Sequence, residues 1–149
     1  MEGIQLHRRR RGPFLWAVVF VMLSSCSPAG RTSSGPSVGI TLKDFSIHTS
    51  TPSVKAGRIA LNVYNQGPAT HEFVVVRTTL PDDGLPIAAD GLSVDEDALT
   101  GVGEISEVNI WTSDTLDLRL SPGRYVFFCN LDGHYLGGMH VSLVVLSDA

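Results

Sequence analysis

Four side chains stand out in this sequence because their types and spacing suit a transition metal. Cys129, His134 and Met139 follow one another in a short segment of the last third, and His71 lies far upstream. A thiolate, two imidazoles and a thioether are together the donor set of mononuclear copper sites that transfer electrons. A single His or Met in a β protein is usually a core or surface residue. It is therefore the combination that predicts a metal site.

The cysteine content narrows the alternatives for Cys129. The sequence holds two cysteines, Cys26 and Cys129. If Cys26 is modified, Cys129 has no disulfide partner within the monomer, and a lone exported thiol oxidises unless it is buried or binds a metal. A buried apolar cysteine at the end of a strand is the alternative, and the nearby His134 and Met139 favour the metal.

The N-terminal residues are typical of an export signal. Arginines 8–11 precede the apolar stretch 14–23, which is too short to span a bilayer as a helix. The stretch ends in Leu23-Ser24-Ser25-Cys26, which resembles a bacterial lipobox. We expect a lipoprotein signal peptide at 1–25 and a lipid anchor on Cys26, with the protein on a membrane and facing the periplasm or the cell exterior. An ordinary signal peptide with an incidental cysteine is the alternative.

The rest of the chain is expected to form one acidic domain on a flexible linker. Residues 26–37 are rich in Ser, Gly and Pro, which favours a tether, and 38–149 has room for one core. Loss of four arginines and one glutamate with the signal peptide changes the formal net charge from −4 to −7. Nucleic acid is therefore not an expected partner, because phosphate binding requires a clustered positive surface.

The pattern of apolar residues predicts an all-β domain. Val38, Ile40 and Leu42 alternate with polar residues, and Phe45 and Ile47 resume the alternation one residue out of phase, which predicts a bulge near 43–44. Short strands separated by Gly and Pro turns favour an antiparallel sandwich. The further predicted strands are 59–64, 73–78, 105–111, 116–120, 124–129 and 141–146.

One segment, 80–103, interrupts this rhythm and has the composition of an inserted loop. Ser93 to Glu96 resembles a capping box, which predicts a short helix ending near Gly101. The acidic residues in and just after the segment would steer a basic partner or only keep the loop solvated. They are Asp82, Asp83, Asp90, Asp95, Glu96, Asp97, Glu104 and Glu107.

The predicted strands bring the four donors to one end of the sandwich. Cys129 ends a strand, His134 lies in the following loop and Met139 precedes the last strand, so one connection supplies three donors. His71 would join them from a different strand. Rigid strands on both sides would hold the donors without help from the metal.

The residues 122–129, Pro-Gly-Arg-Tyr-Val-Phe-Phe-Cys, followed by Gly133-His134 and Gly138-Met139, resemble the ligand region of the cupredoxins, the blue copper superfamily of plastocyanin and azurin. The similarity covers roughly 38–146, and the ligand spacing is most like that of the rusticyanin and auracyanin branch. It implies a Greek-key β-sandwich with one type 1 copper ion. Cys129, His71 and His134 would form a plane around it, with Met139 as the axial ligand.

The same resemblance implies a monomer that cycles Cu(II) and Cu(I) and exchanges electrons with a redox partner such as a cytochrome or a terminal oxidase. His134 is the expected exit for electrons, and an apolar patch of Leu131, Tyr135 and Leu136 would dock the partner weakly. Glu72 stands where many cupredoxins have Asn or Ser. Together with Asn130 it is expected to tune the site from outside the ligand set.

The residues beside Cys129 argue against an enzyme. Multicopper oxidases and copper nitrite reductases place a His next to this cysteine, whereas Phe128 and Asn130 flank it here. A binuclear site would need a second cysteine in the loop. Copper trafficking or storage by the same fold stays as the alternative function. His48 and His140 fit no place in the pattern and are expected at the surface, with a position near the site as the alternative for His140 because it adjoins Met139.

Overall fold

The structure is a computed structural model that describes residues 35–147. The expected signal peptide, the anchor residue Cys26 and the linker up to residue 34 lie outside these residues. Within 35–147 no helix is long and apolar enough to cross a membrane. The described elements are β1 (Ser37–Lys43), β2 (Ser46–Thr49), β3 (Ser53–Lys55), β4 (Gly57–Asn65), β5 (His71–Arg77), a 3-10 helix (Glu96–Ala98), β6 (Thr100–Val108), β7 (Ser113–Leu120), β8 (Gly123–Phe128) and β9 (His140–Leu146).

Two sheets form the sandwich, which confirms the all-β fold class. The first sheet has the order β2-β1-β4-β7 and the second has the order β3-β9-β8-β5-β6. Both are mixed rather than purely antiparallel, because β1 pairs in parallel with β4 and β3 pairs in parallel with β9. The three-residue strand β3, which the sequence pattern does not reveal, is paired at the edge of the second sheet.

The space between the sheets holds the main core. The alternating residues Val38, Ile40 and Leu42 of β1 all point into it and are at most 1% exposed. Across the core, Phe73 and Phe127 meet edge to face with ring centroids 5.3 Å apart, which is a favoured geometry for aromatic pairs. The same core contains Cys129 and Met139, so two of the expected metal ligands belong to the packed interior.

A second core lies on the outer face of the second sheet, under residues 78–99, which we call the covering loop. Here Val74, Val76 and Phe128 of the sheet pack against Leu85 and Val94 of the loop. The central strands of this sheet are thus buried on both faces. This explains why 73–76 is a continuous apolar run rather than an alternating one.

Three local predictions were wrong. The phase shift near 43–44 is a hairpin turn between β1 and β2 rather than a bulge, and Phe45 in that turn has a φ of 59°. The expected helix after the capping box is a single 3-10 turn, because Ser93 bonds to Asp90 and the residue at the helix start makes no capping bond. Strand β6 also begins at Thr100, inside the segment predicted to be a loop.

The strand register defines two opposite ends of the sandwich. At one end, which we call the ligand end, β4 finishes at Asn65, β5 starts at His71 and β8 leads into the 129–139 loop. At the other, which we call the remote end, β4 starts opposite Leu120 and β8 starts at Gly123. The chain described here also starts near the remote end, where Gly35 lies against the backbone of Arg58.

Candidate metal centre

Three of the four expected ligands converge at the ligand end. The Nδ1 atoms of His71 and His134 lie 4.0 Å and 3.5 Å from the Cys129 sulfur. All three donor atoms lie within 4.8 Å of one another, and no other cluster of His, Cys, Asp and Glu donors of this kind occurs within 35–147. Met139 is fully buried in the same core cluster as Cys129. The fold thus brings His71, Cys129 and His134 together and buries Met139 in the core cluster of Cys129.

The donor separations fit a metal ion held between the side chains. A metal about 2.3 Å from a thiolate and 2.0 Å from an imidazole, in a trigonal arrangement, places sulfur and nitrogen about 3.7 Å apart. The observed sulfur-to-nitrogen distances of 4.0 Å and 3.5 Å lie on either side of this value. Thiolate with imidazole is a soft and borderline donor set that suits copper.

His71 is held in place by the turn between β1 and β2. Its side chain is fully buried at the start of β5, and its Nε2 lies 3.1 Å from Oδ1 of Asp44, a close contact that lacks the alignment of a hydrogen bond. Burial lowers the pKa of His71, and the neighbouring His134 lowers it further, while the Asp44 carboxylate opposes both. The imidazole is therefore kept neutral, with Nδ1 directed towards the sulfur.

The Cys129 thiol is buried and surrounded by backbone donors. Burial raises the pKa of Cys129, whereas the backbone N–H groups of Leu131 and Glu72 act in the opposite direction. A thiol in this setting retains its proton unless a cation is bound nearby, because the charged form is desolvated. The backbone N–H of Glu72 therefore acts on the Cys129 thiol independently of the Glu72 side chain.

The 129–139 loop is closed at its base by the backbone. The Cys129 N–H donates to the Met139 carbonyl at 3.1 Å, and the Met139 N–H donates to the His134 carbonyl at 3.0 Å. Within the loop, Gly137 and Gly138 donate to the carbonyls of Gly133 and Tyr135. Three expected ligands are thus fixed relative to one another by main-chain bonds, in a loop where Gly133 and Gly138 have positive φ.

Asn65 is a buried polar residue that sequence analysis did not single out. Its Nδ2 donates to the carbonyls of Ala69 and Val108 at 2.8 Å, and its Oδ1 accepts from the Gly67 N–H at 2.8 Å. These bonds fix the loop that leads into His71 and tie the two sheets together at the ligand end. The only signal in the sequence was an Asn beside a Gly-Pro pair, which indicates a turn and no more.

Phe45 is a second residue that sequence analysis missed. Its ring centroid lies 5.5 Å from that of His134, and a side chain at Gly137 would collide with the ring. Phe45 is 53% exposed and holds a positive φ that bulky residues rarely adopt. It therefore covers one side of the half-buried His134 from the neighbouring turn.

Glu72 and Asn130 lie beside the cluster, as expected, but they face the covering loop. Asn130 Oδ1 accepts from the Val94 N–H at 2.7 Å, and its Nδ2 donates to Glu96 Oε1 at 2.6 Å. Burial raises the pKa of the half-buried Glu72, and the carboxylates of Glu96 and Glu104 raise it further. Asn130 thus joins the ligand loop to the covering loop.

Only two of the three residues of the predicted docking patch are exposed. Leu131 and Leu136 are 40% and 54% exposed, but Tyr135 is 3% exposed. The Tyr135 hydroxyl donates to the Asp82 carbonyl and accepts from the Leu85 N–H, each at 2.9 Å. Tyr135 is therefore an anchor for the covering loop and cannot belong to an exposed patch.

His140 is not a free surface residue either. Its Nδ1 lies 3.3 Å from Asp82 Oδ2, and Asp82 Oδ1 lies 3.1 Å from Arg124 Nη2. The Asp82 carboxylate is thus engaged by two basic groups and contributes less than the sequence suggested to any exposed acidic surface. His48, by contrast, lies exposed on β2, as expected.

Comparison with solved structures identifies the fold. A dithionite-reduced auracyanin from Roseiflexus castenholzii is similar with a TM-score of 0.56 and 22% identity, covering 76% of this chain and 98% of that one. Auracyanin A, described as a "blue" copper protein from Chloroflexus aurantiacus, has a TM-score of 0.54 and 18% identity, covering 75% and 100%. Rusticyanin from Thiobacillus ferrooxidans has a TM-score of 0.53 and 15% identity, covering 76% and 79%.

The described domain therefore has the cupredoxin fold, as the resemblance of its ligand region implied. No protein-family model and no curated protein sequence matches the chain. The similarity thus lies in the three-dimensional structure, at 15% to 22% sequence identity.

Proposed function

We propose that this protein is a mononuclear type 1 copper protein that carries single electrons. The observation that carries the proposal is the convergence of Cys129, His71 and His134 in a cupredoxin fold, with Met139 buried beside them. In the carrier we propose, these four residues hold one copper ion. The ion supplies one-electron chemistry by alternating between Cu(II) and Cu(I).

The protein's own part in this function is to keep the ligands still. Asp44 holds the imidazole of His71, backbone N–H groups surround the Cys129 sulfur, and main-chain bonds close the ligand loop. A site whose ligands are fixed by packing and hydrogen bonds changes little between oxidation states, which favours fast electron exchange. Glu72 and Asn130 would adjust the potential from outside the ligand set.

His134 is the side chain through which we expect electrons to leave. It is half-buried, whereas His71 is fully buried, and it is flanked by the exposed side chains of Phe45 and Leu136. A small apolar surface around such a ligand suits brief contact with a redox partner such as a cytochrome or a terminal oxidase. The proposed role is therefore that of a monomeric carrier, not an enzyme.

We further propose that the carrier is exported and tethered outside the cytoplasmic membrane by a lipid on Cys26. The support is the sequence of 8–26, with its arginines, apolar stretch and lipobox-like ending. Mass spectrometry of the N-terminal peptide from a membrane fraction should show an acylated Cys26. A soluble product with an unmodified cysteine would contradict the anchor and leave the copper site as proposed.

The copper site is tested by loading the purified protein with Cu(II). We expect an intense visible thiolate-to-copper charge-transfer band and the matching electron paramagnetic resonance spectrum. Cys129→Ser and His71→Ala should abolish both. His48→Ala, a matched change of an exposed histidine, should leave both unchanged. A band that survives Cys129→Ser would refute the proposed ligand set. Rapid transfer of copper to an apo-acceptor, without electron exchange, would refute the carrier.

A further inference from the structure

The basic side chains of the domain are gathered at one end, although its net charge is negative. Six lysines and arginines occur within 35–147, and only Lys43 lies at the ligand end. The strand register places the other five at the remote end. They are Lys55 at the end of β3, Arg58 at the start of β4, Arg77 at the end of β5, Arg119 at the end of β7 and Arg124 at the start of β8.

Most of these cations have no carboxylate partner in the described part of the chain. Arg124 pairs with Asp82 at 3.1 Å, and no other lysine or arginine of 35–147 lies within 4.0 Å of an acidic group. Arg77 instead donates to the carbonyl of Pro122 at 2.8 Å, which fixes the direction of its guanidinium. The remote end therefore carries positive charge that the domain itself does not neutralise.

Arg58 and Arg119 lie directly opposite each other on adjacent strands. Residue 58 of β4 pairs with residue 119 of β7, and both side chains are exposed on the outer face of the sheet. Like charges in directly opposed positions destabilise a sheet. Such a pair is favoured when an anion binds between the two side chains, because guanidinium groups bind phosphate through paired hydrogen bonds.

Two clefts at the remote end are each lined by a pair of arginines. One, of about 210 Å³, is lined by Arg58, Asp117, Leu118 and Arg119. The other, of about 310 Å³, is lined by Arg77, Thr78, Thr79, Thr100, Gly123 and Arg124. Guanidinium groups beside threonine hydroxyls and backbone N–H groups are the donors that phosphate oxygens require. Both clefts thus contain a pair of arginines, but only the second adds threonine hydroxyls, and the first also contains the carboxylate of Asp117.

We propose that the remote end docks onto an anionic membrane surface, with the paired arginines of the two clefts binding lipid headgroup phosphates. Charge complementarity supports a membrane surface as the occupant. Basic side chains are attracted to anionic lipids, and this attraction adds to the attachment that a tether provides. The position of Gly35 supports a membrane surface as well, because the described part of the chain begins at this end, so an anchor on the preceding residues would be connected to the domain there. Leu146, which is 48% exposed and paired with Lys55, adds an apolar contact.

This docking fixes an orientation that the proposed electron-transfer function does not by itself require. The ligand end, with His134 and the exposed leucines, faces away from the lipid. The redox partner would then approach from the aqueous side. The inference does not depend on the copper site and applies equally to the metal-free protein.

The test uses the full chain reconstituted with vesicles of zwitterionic lipid alone or of zwitterionic lipid with anionic lipid. All variants share the same N-terminal residues, so the contribution of these residues cancels between variants compared on the same vesicles. Backbone hydrogen exchange of 55–58 and 119–124 should be slower with anionic vesicles and should recover in 1 M salt. Each basic residue near an anionic surface raises the docking equilibrium constant roughly fivefold, so Arg58→Glu with Arg119→Glu should lower that constant by more than about tenfold.

Lys43→Glu reverses one charge at the ligand end and is the matched control for Arg119→Glu at the remote end. Lys43→Glu should retain the slower exchange of 55–58 and 119–124 on anionic vesicles. Unchanged exchange of the amides of 73–76 and 126–128, within β5 and β8 but outside the docking readout, would show that each variant is folded. Equal exchange in the two kinds of vesicle, or protection that persists in the double variant, would overturn the proposal. The proposal would also be overturned if inorganic phosphate or an oligonucleotide slowed exchange equally in the presence of zwitterionic vesicles. The remote end would then bind a soluble anion.

Discussion

The carboxylate of Asp44 lies 3.1 Å from Nε2 of His71, on the side of the ring opposite the Cys129 sulfur. This contact comes from a turn between two strands of the other sheet, so the orientation of a proposed ligand depends on the packing of both sheets. Asp44 also accepts from the Ala69 N–H at 3.3 Å, which links it to the loop before His71. The pair is therefore both a support for the imidazole and part of the ligand end.

Asp44→Asn should weaken copper binding by about tenfold, the lower end of what hydrogen-bonded partners of a ligand histidine contribute, because the Asp44 carboxylate contacts Nε2 of His71 without hydrogen-bond alignment. Titration against a chelator of known affinity measures the effect. Asp132→Asn, which removes an exposed carboxylate from the ligand loop, is the control and should change affinity little. If both variants lose affinity equally, the effect is one of general charge and the proposed support is wrong.

Tyr135→Phe should destabilise the protein by about 1–3 kcal/mol, because it leaves the Leu85 N–H buried without its acceptor. Urea denaturation of the metal-free protein gives the free energy of unfolding. Tyr64→Phe, at a position 37% exposed, should stay within about 0.5 kcal/mol of the unaltered protein. An equally small change in Tyr135→Phe would mean that the covering loop is held by its apolar contacts alone.

Asn130→Ala should release the covering loop from the ligand loop. The Val94 N–H, which donates to Asn130 at 2.7 Å, should exchange with solvent faster, and the protein should lose about 1–3 kcal/mol of stability. Hydrogen exchange resolved by residue measures this. Asn62→Ala, on the exposed face of β4, should leave Val94 unaffected. Unchanged protection of Val94 would show that Asn130 does not hold the loop.

Leu136→Ser should slow electron exchange with a redox partner without changing stability by more than about 0.5 kcal/mol, since the side chain is 54% exposed. Stopped-flow mixing with a c-type cytochrome measures the rate. Leu80→Ser is the control, because this leucine is 40% exposed and lies in the covering loop just after the remote end of β5. Equal slowing in both variants would contradict docking at the ligand end.

Asp95→Asn with Asp97→Asn should slow association with a basic cytochrome at low salt by a few-fold, and the difference should vanish at high salt. Glu96 is left intact because it binds Asn130. Asp114→Asn with Asp117→Asn removes the same charge from β7 and is expected to have a smaller effect. If the two double variants behave alike, the covering loop does not steer the partner and serves solubility.

The sequence predicted the sandwich and the cluster of donors because both depend on local patterns. Alternating apolar residues reveal strands, and residue types at the ends of strands reveal ligands. The hairpin at Asp44-Phe45 was not predicted, since its second turn residue is a Phe at a positive φ, where Gly is usual. The start of β6 was hidden because Gly101 and Gly103 weaken the strand signal, and pairing with β5 overrides it.

Tyr135 shows the limit of reading a site from its own segment. Its position beside His134 in a Gly-rich loop indicated exposure, but it is buried by residues about 50 positions upstream. Burial of this kind depends on contacts between distant segments, which no local pattern encodes. Asp44 was missed for the same reason, because its only link to His71 is through space.

The hydrogen bond from Cys129 N–H to the Met139 carbonyl closes the segment between them, and both of its ends are fixed to neighbouring strands of one sheet. Two side chains within the segment, Asn130 and Tyr135, are tied to the covering loop. Replacements are therefore expected to be tolerated best at its exposed positions, such as Leu131 and Leu136. The side chains that would meet a redox partner can thus change while those that hold the domain together stay.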